Sequence, residues 1–339
     1  MQAGRPPLEA QRLVSGYRAY QMMVAACELK LPDLLAAGPM GVGELASETQ
    51  THLSSLRRFL RGLAVLGIVT EEPDGRFAAT ALAGNFRSDR PGLRNMTLMQ
   101  NDEGYRAWAD LLYTLRTGEP AFHHLFGKSP FDKLGENSEA SARFNAAMVE
   151  GTTRIAGAFV AAYDFSGVRT VVDVAGVNGA LLAAVLNAHP DMRGVLFDLA
   201  QGLAGAGENL EAQGVGSRTS LVEGSFFESV PHDGDLYMLK SIIHDWDDEQ
   251  AVAILKTCRR AMQPQAKLVL LERTVPERAD TSQAAFEAAM GDLQMMVVLG
   301  GRERSVAEYG DLLAQAGFQM SRFVRTESPF GVVEGVPAE

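Results

Sequence analysis

The sequence predicts a two-part protein, a helical segment followed by an α/β domain with a mostly parallel sheet and helices on both faces. Three observations carry that prediction. Up to about Tyr163 the apolar residues follow helical periodicity with little strand character. From about Val168 onward, short apolar runs alternate with amphipathic stretches, the pattern of βαβ units. In "TVVDVAGVNGALLAAVL" (170–186) an apolar run ends in Asp173, a loop with Gly176 and Gly179 follows, and a buried helix begins. Strand, loop and helix in that order build nucleotide sites, because a helix N-terminus offers free N–H groups. The boundary is placed between the two patterns, giving domains 1–163 and 164–339.

The first domain opens with "LVSGYRAYQMMVAACELKLPDLLAAGP", which is apolar on nearly every face. It should be buried, partly against another chain. The stretch "GVGELASETQTHLSSLRRFLRGLAVLGIVTEEPDGRFAATALA" reads as helix, turn, helix and hairpin. Thr51 or His52 opens its second helix and Gly75 lies in the hairpin turn. That outline is a winged helix. Arg57, Arg58 and Arg61 on its second helix invite a nucleic-acid role, but acidic residues surround them. They are expected to be a solvated face.

In the second domain the strands are expected at "TVVDVA", "GVLFDLA", "TSLVEGSFF", "DLYMLKSII" and "AKLVLLERTV". Helices are expected over 180–189 and in "DEQAVAILKTCRRAMQ", and the C-terminal segment supplies a helix and one or two late strands. Ligands in such sheets sit at the C-terminal ends of the strands. This directs attention to Asp173, Asp198, Ser225, Lys240, His244 and Glu272.

Composition narrows the function classes. The 339 residues are 46% hydrophobic and 22% charged, ordinary for a soluble globular chain with room for two cores. No leader-like apolar segment opens the chain and no run approaches membrane-spanning length, so a cytoplasmic protein without membrane contact is expected. The net charge of −11 argues against nucleic acid as a partner. Two distant cysteines suggest neither disulfides nor zinc, and no metal cluster is apparent.

Two residues stand out chemically. Asp198 ends the second strand of the domain 25 residues after Asp173, near the spacing at which an acidic residue meets ribose hydroxyls. Capping of the following turn would place an Asp there equally well. In "LKSIIHDWDDEQ", His244 follows an apolar strand and precedes what looks like a helix N-terminal turn. It stands at the sheet edge where a substrate lies, and its side chain suits a general base near neutral pH. The remaining histidines, such as His123, His124 and His189, show no comparable context.

The segments "DVAGVNGALLAAVLNAHPDMRGVLFDLA", "EGSFFESVP", "LKSIIHDWDDEQAVAILKTCRRAM", "LVLLERTVPE" and "DLQMMVVLGGRERSVAEYGDLLAQAGF" together resemble the small-molecule O-methyltransferases. These are S-adenosylmethionine-dependent enzymes of plant phenolic and bacterial secondary metabolism. The match runs in order over essentially the whole chain. "HDWDD" and "GGRER" are specific when found together at this separation. The resemblance implies a Rossmann-like class I methyltransferase domain preceded by an all-helical winged-helix domain that forms a homodimer and helps close the substrate site. It also implies S-adenosyl-L-methionine as cofactor and an aromatic small molecule as acceptor.

Position by position, the resemblance makes His244 the general base, with Glu272 and Glu303 as carboxylates that orient or flank it. It assigns Asp198 and Leu199 to the ribose, Ser225 and Phe226 to the adenine neighbourhood, and Lys240 to a further contact. Asp173, Ala175, Gly176 and Gly179 form the cofactor loop. Tyr105, Trp108, Phe144, Met148, Met290, Met295 and Met296 are candidates for the acceptor pocket, since aromatic and methionine side chains suit a flat apolar ligand. Residues of these types at helical spacing also serve as plain core.

Two positions depart from the family pattern. Where relatives read "DVGGGxG", this chain has Ala175 and Val177 in place of glycines. Ala175 is expected to be absorbed by a loop with negative φ, whereas Val177 would be costly at positive φ. Ser225 stands where some relatives carry aspartate. The alternative is a methyltransferase fold recruited to cyclisation, hydroxylation or decarboxylation, or to a non-catalytic role. The retention of His244, Glu272, Glu303, Asp198 and Lys240 favours methyl transfer.

Overall fold

Runs rich in Val, Leu and Ile become buried strands, and the breaks in those runs place the functional loops. The computed structural model describes residues 7–276, 278 and 280–338. By compactness these divide into two units, 1–105 and 106–339.

In the first unit a helix spans Leu8–Glu28, and helices Val42–Glu48 and Leu53–Val65 lead into a two-stranded hairpin, β1 (Val69–Glu71) and β2 (Phe77–Ala79). His52 stands at the N-cap of the second of these helices. Leu45, Leu56, Leu60, Leu63 and Phe77 are fully or almost fully buried and make one core. Arg57, Arg58 and Arg61 are exposed, and Arg61 is paired with Glu71. Along the long first helix Val24, Ala26 and Cys27 are buried within this chain, whereas Leu13 and Val14 are 83% and 77% exposed.

The second unit carries a seven-stranded sheet. Its strands are β3 (Thr170–Val174), β4 (Arg193–Asp198), β5 (Thr219–Glu223), β6 (Leu236–Lys240), β7 (Lys267–Arg273), β8 (Phe318–Arg325) and β9 (Phe330–Pro337). The order is β5-β4-β3-β6-β7-β9-β8, parallel except for β9, which runs antiparallel to both neighbours. Two apolar cores flank it. One gathers helices Asp248–Ala261 and Val306–Gln315, the other helices Ser138–Ala162, Ala180–Ala188 and Ala206–Ala212. The 163/164 boundary read from the sequence falls at the end of helix Ser138–Ala162. That helix buries Ile155, Ala156 and Phe159 in the sheet's core, which is why 106–162 goes by compactness with the sheet.

Two strands are shorter than their apolar runs suggest. β5 ends at Glu223, and Phe226–Glu228 form a turn beyond it. β6 ends at Lys240 because Ser241 adopts φ 53°, a left-handed conformation that no strand continues.

Candidate active site

The loop after β3 is shaped by contacts that leave no room for change at Gly176. A Cβ there would lie 2.4 Å from Asp173 Oδ2 and 2.6 Å from Leu196 Cδ1. Ala175 and Val177 both adopt left-handed conformations, φ 59° and 54°. The expectation of negative φ at Ala175 is therefore corrected: the loop keeps the glycine-type path although two glycines are gone. Such conformations cost on the order of 1–3 kcal/mol each and persist where surrounding bonds enforce them. Here Ala175 N–H donates to Phe197 O at 2.7 Å, and Val177 N–H to Asp198 Oδ2 at 2.8 Å. Gly179, at φ 77°, opens the helix Ala180–Ala188.

Asp198 stands at the end of β4, and its second oxygen accepts the Leu199 N–H at 2.7 Å. The capping role weighed from sequence is thus real, but each carboxylate oxygen keeps a second lone pair for a hydroxyl. Asp173 is almost fully buried, and its Oδ2 has no hydrogen-bond partner in the protein. Burial, and then the charge of Asp198, push its pKa up to about 7. An orphaned carboxylate oxygen beside Gly176, where a Cβ would clash, fits a ligand with a cationic group and a ribose diol. Ser225 Oγ accepts the Phe227 N–H at 3.3 Å. Phe226 and Phe227 pack edge-on against Trp246, and Phe131 stacks on Trp246 and meets Phe144 edge-on.

The histidine sits on a separate turn. Beyond Ser241 the chain makes a 3-10 turn, Ile243–Asp245, before Asp247 caps the helix Asp248–Ala261 by accepting the Gln250 N–H at 2.8 Å. His244 is 13% exposed, and its Nδ1 lies 3.0 Å from Glu303 Oε1. Glu272 Oε2 is 3.8 Å from the same nitrogen, and Asp245 Oδ1 is 3.3 Å from Nε2. Burial alone would lower the imidazole pKa. The charges of Glu272 and Asp245 and the bond to Glu303 overcome it and raise the value to about 10. Burial raises Glu272 to about 7 and Asp245 to about 6.

The two glutamates differ in what they touch. Glu303 bonds to the ring, whereas Glu272 Oε1 accepts the N–H groups of Ile242 and Ile243 at 3.0 and 2.9 Å. Glu272 thus anchors the turn that carries the histidine. Although no metal cluster is visible in the sequence, the fold brings metal-capable atoms of His244, Glu272 and Glu303 within 4.8 Å of one another. The contact present there is the hydrogen bond from Nδ1 to Glu303.

Lys240, at the end of β6, has its pKa lowered to about 8 by burial, and its Nζ lies 5.7 Å from the Phe330 ring centroid. Tyr105 lies in the first unit, stacked on Tyr20 at 5.5 Å. In the second unit Trp108 Nε1 donates to Gln294 Oε1 at 2.6 Å, and Phe144 and Met148 lie on helix Ser138–Ala162. Met290 lies on helix Gln283–Gln294, and Met295 and Met296 open the π-helical turn Met295–Leu299.

Sequence reasoning passed over Asp245, Gly301 and Arg304. A Cβ at Gly301 would meet His244 O at 2.1 Å. Arg304 is fully buried and bonded to the same turn. The signal available for both was the pairing of "GGRER" with "HDWDD": the two motifs are in contact.

The chain is similar to known proteins over nearly its whole length. The O-methyltransferase domain family matches residues 108–319, and the O-methyltransferase dimerisation domain matches residues 11–89. The chain is 40% identical to the phenazine O-methyltransferase PhzM of Lysobacter antibioticus over 99% of its own length and 98% of that protein. It is also 40% identical to the O-demethylpuromycin-O-methyltransferase of Streptomyces alboniger, covering 96% of the chain and 88% of that enzyme. The structure of the O-methyltransferase NcsB1 from neocarzinostatin biosynthesis, solved with S-adenosylmethionine and 2-hydroxy-5-methyl naphthoic acid, superposes with a TM-score of 0.81. That match is at 32% identity and covers 94% of this chain and 96% of that one. Relatives named as N-methyltransferases also match over most of the chain. The dimerisation domain supports a homodimer. No helix among the described residues is long and apolar enough to cross a membrane. The chain belongs to the S-adenosylmethionine-dependent O-methyltransferase family of natural-product biosynthesis.

Proposed function

We propose that this protein methylates a hydroxyl of an aromatic small molecule, with His244 as the general base. The observation that carries this proposal is the 3.0 Å contact between His244 Nδ1 and Glu303 in a site that admits little water. With Nδ1 spent on Glu303, Nε2 is the nitrogen offered to the acceptor, and Asp245 is the group an incoming hydroxyl must share or displace. S-adenosylmethionine supplies the electrophilic methyl: the acceptor oxygen bonds to that carbon as its bond to sulfur breaks, and S-adenosylhomocysteine leaves. Once the ring is neutral, the acceptor proton goes to Nε2, and the imidazolium so formed is held by the three carboxylates around it. Such a base contributes typically about 10²–10⁴-fold.

The cofactor is held by the loop after β3. Asp198 is proposed for the ribose hydroxyls, with Leu199 beside it, and Ser225 and Phe226 for the adenine. Asp173, Ala175, Gly176 and Gly179 line the loop, and Lys240 is proposed as a further contact. Trp108, Phe144, Met148, Met290, Met295 and Met296 are proposed for the acceptor.

The test is calorimetric titration with S-adenosylmethionine and with S-adenosylhomocysteine, followed by a panel of phenols, naphthols and aromatic amines read by mass spectrometry. Micromolar binding of both cofactor forms and methylation of a phenolic oxygen are expected. Absence of binding at millimolar ligand would sink methyl transfer and leave the recruited-fold alternative. Methylation of amines alone would replace the oxygen acceptor by nitrogen.

A further inference from the structure

We infer that Arg304 is a positioning residue, clamping the turn that presents His244. Its guanidinium donates through Nη1 to Ile243 O at 3.0 Å and through Nη2 to Trp246 O at 2.8 Å, the carbonyls on either side of the His244–Asp245 pair. Nε and Nη2 also reach Asp248 Oδ1, at 3.0 and 2.7 Å, at the head of the helix that follows the turn. Nη1 further contacts Arg302 O at 3.3 Å. Arg304 itself is fixed by backbone pairing: its carbonyl accepts the Val275 N–H at 3.1 Å, and it bridges to Thr274 beyond the end of β7.

The turn is therefore gripped on both kinds of backbone group. Glu272 takes the N–H groups of Ile242 and Ile243, and Arg304 takes the carbonyls of Ile243 and Trp246. Gly301 lets the same segment approach the His244 peptide closely, and Glu303, one residue before Arg304, bonds the ring. Backbone and ring of His244 are thus located by one short segment, so a displacement of Arg304 moves the ring relative to Glu303. Lysine cannot reproduce this fork, since its ammonium is a single point charge.

The groups facing the imidazole are Asp245 on its own turn, Glu272 from β7 and Glu303, with Lys240 and Tyr309 close to those carboxylates. Arg304→Lys preserves every one of these and the net charge, so it isolates geometry from electrostatics. The readout is the proton resonance of His244 Nδ1–H in isotope-labelled protein, whose far-downfield position reports the bond to Glu303, together with calorimetric affinity for S-adenosylhomocysteine. In Arg304→Lys the resonance is expected to move upfield or vanish by solvent exchange, while the affinity stays within about twofold. With a methylated acceptor in hand, kcat falls on the order of 100-fold in the same variant.

If Arg304→Lys does not fold, Asp248→Ala gives the same test, because Asp248 is half-exposed and anchors one edge of the guanidinium. A smaller displacement of the same resonance is expected. An unchanged resonance in either folded variant overturns the inference, as does a parallel loss of S-adenosylhomocysteine affinity, which would mean general damage. The proposal concerns the His244 turn of the methyl-transfer reading, yet both primary readouts need no acceptor, so failure of one can be told from failure of the other.

Discussion

The loop after β3 and the histidine turn lie at the same edge of one sheet and are held by different kinds of group. The loop after β3 is held through its backbone N–H groups by the neighbouring strand β4 and by close packing: the Val177 N–H on Asp198, the Ala175 N–H on Phe197 O and the missing Cβ of Gly176. The turn after β6 has its own left-handed residue, Ser241, but what holds it comes from far along the chain, from Glu272, Glu303 and Arg304. A loop held by its own backbone N–H groups keeps those bonds whatever side chain it carries, so it can absorb substitutions as strain and keep its path. A turn held by distant side chains loses its aim when any one of them goes. Ala175 and Val177 accordingly keep left-handed backbone, whereas the turn depends on the side chains of Glu272, Glu303 and Arg304.

The largest effect expected from this contrast is at the histidine. His244→Ala should lower kcat by about 10²–10⁴-fold while S-adenosylhomocysteine binding, which belongs to the other region, is retained. Calorimetry and single-turnover kinetics on one preparation check both halves. Near-wild-type turnover would remove His244 from the base role, and loss of binding would mean the two regions are not separable.

Glu303→Gln gives a smaller and more diagnostic change. Carboxylates hold the imidazole at about 10, so at neutral pH the resting ring keeps its proton. For an acceptor that stays un-ionised over the range, kcat/KM should therefore rise about tenfold per pH unit toward that value. Removing one carboxylate lowers the histidine pKa. The rising limb then moves to lower pH even as the maximal rate falls, because the ring has lost its orienting bond. An acceptor that enters already ionised would show no such limb in the wild type. A limb that stayed in place in Glu303→Gln would assign it to some other group.

The mostly parallel sheet and the strand ends near Asp173, Asp198, Lys240 and His244 were legible in the sequence because buried parallel strands are near-continuous apolar runs. The stopping points were less legible. Nothing in "DLYMLKSII" shows that Ser241 turns left-handed, since serine carries no obligation to do so. The division of labour between Glu272 and Glu303 was equally hidden: both are glutamates near motifs, and only the fold shows that one bonds backbone and the other the ring. Arg304 was invisible for a related reason. A charged residue in "GGRER" reads as solvated, and its burial depends on carbonyls about 60 residues earlier.

The smallest expected effect lies in the loop. At Ala175 and Val177 the left-handed backbone costs on the order of 1–2 kcal/mol per residue, more where the side chain is β-branched. Glycine relieves that cost but adds about 0.5–1 kcal/mol of unfolded-state entropy. Val177→Gly should therefore stabilise the protein by no more than about 1 kcal/mol, and Ala175→Gly should be close to neutral. Val177→Ala separates strain from bulk, since it trims the side chain without removing the Cβ. If S-adenosylhomocysteine binds more tightly to both Val177→Ala and Val177→Gly, the side chain obstructs the ligand. If only glycine tightens binding, the backbone strain is what the ligand works against. If neither variant changes affinity or melting temperature, the Val177 N–H bond to Asp198 already holds the loop in its binding shape, and the lost glycines carry no penalty that binding can detect.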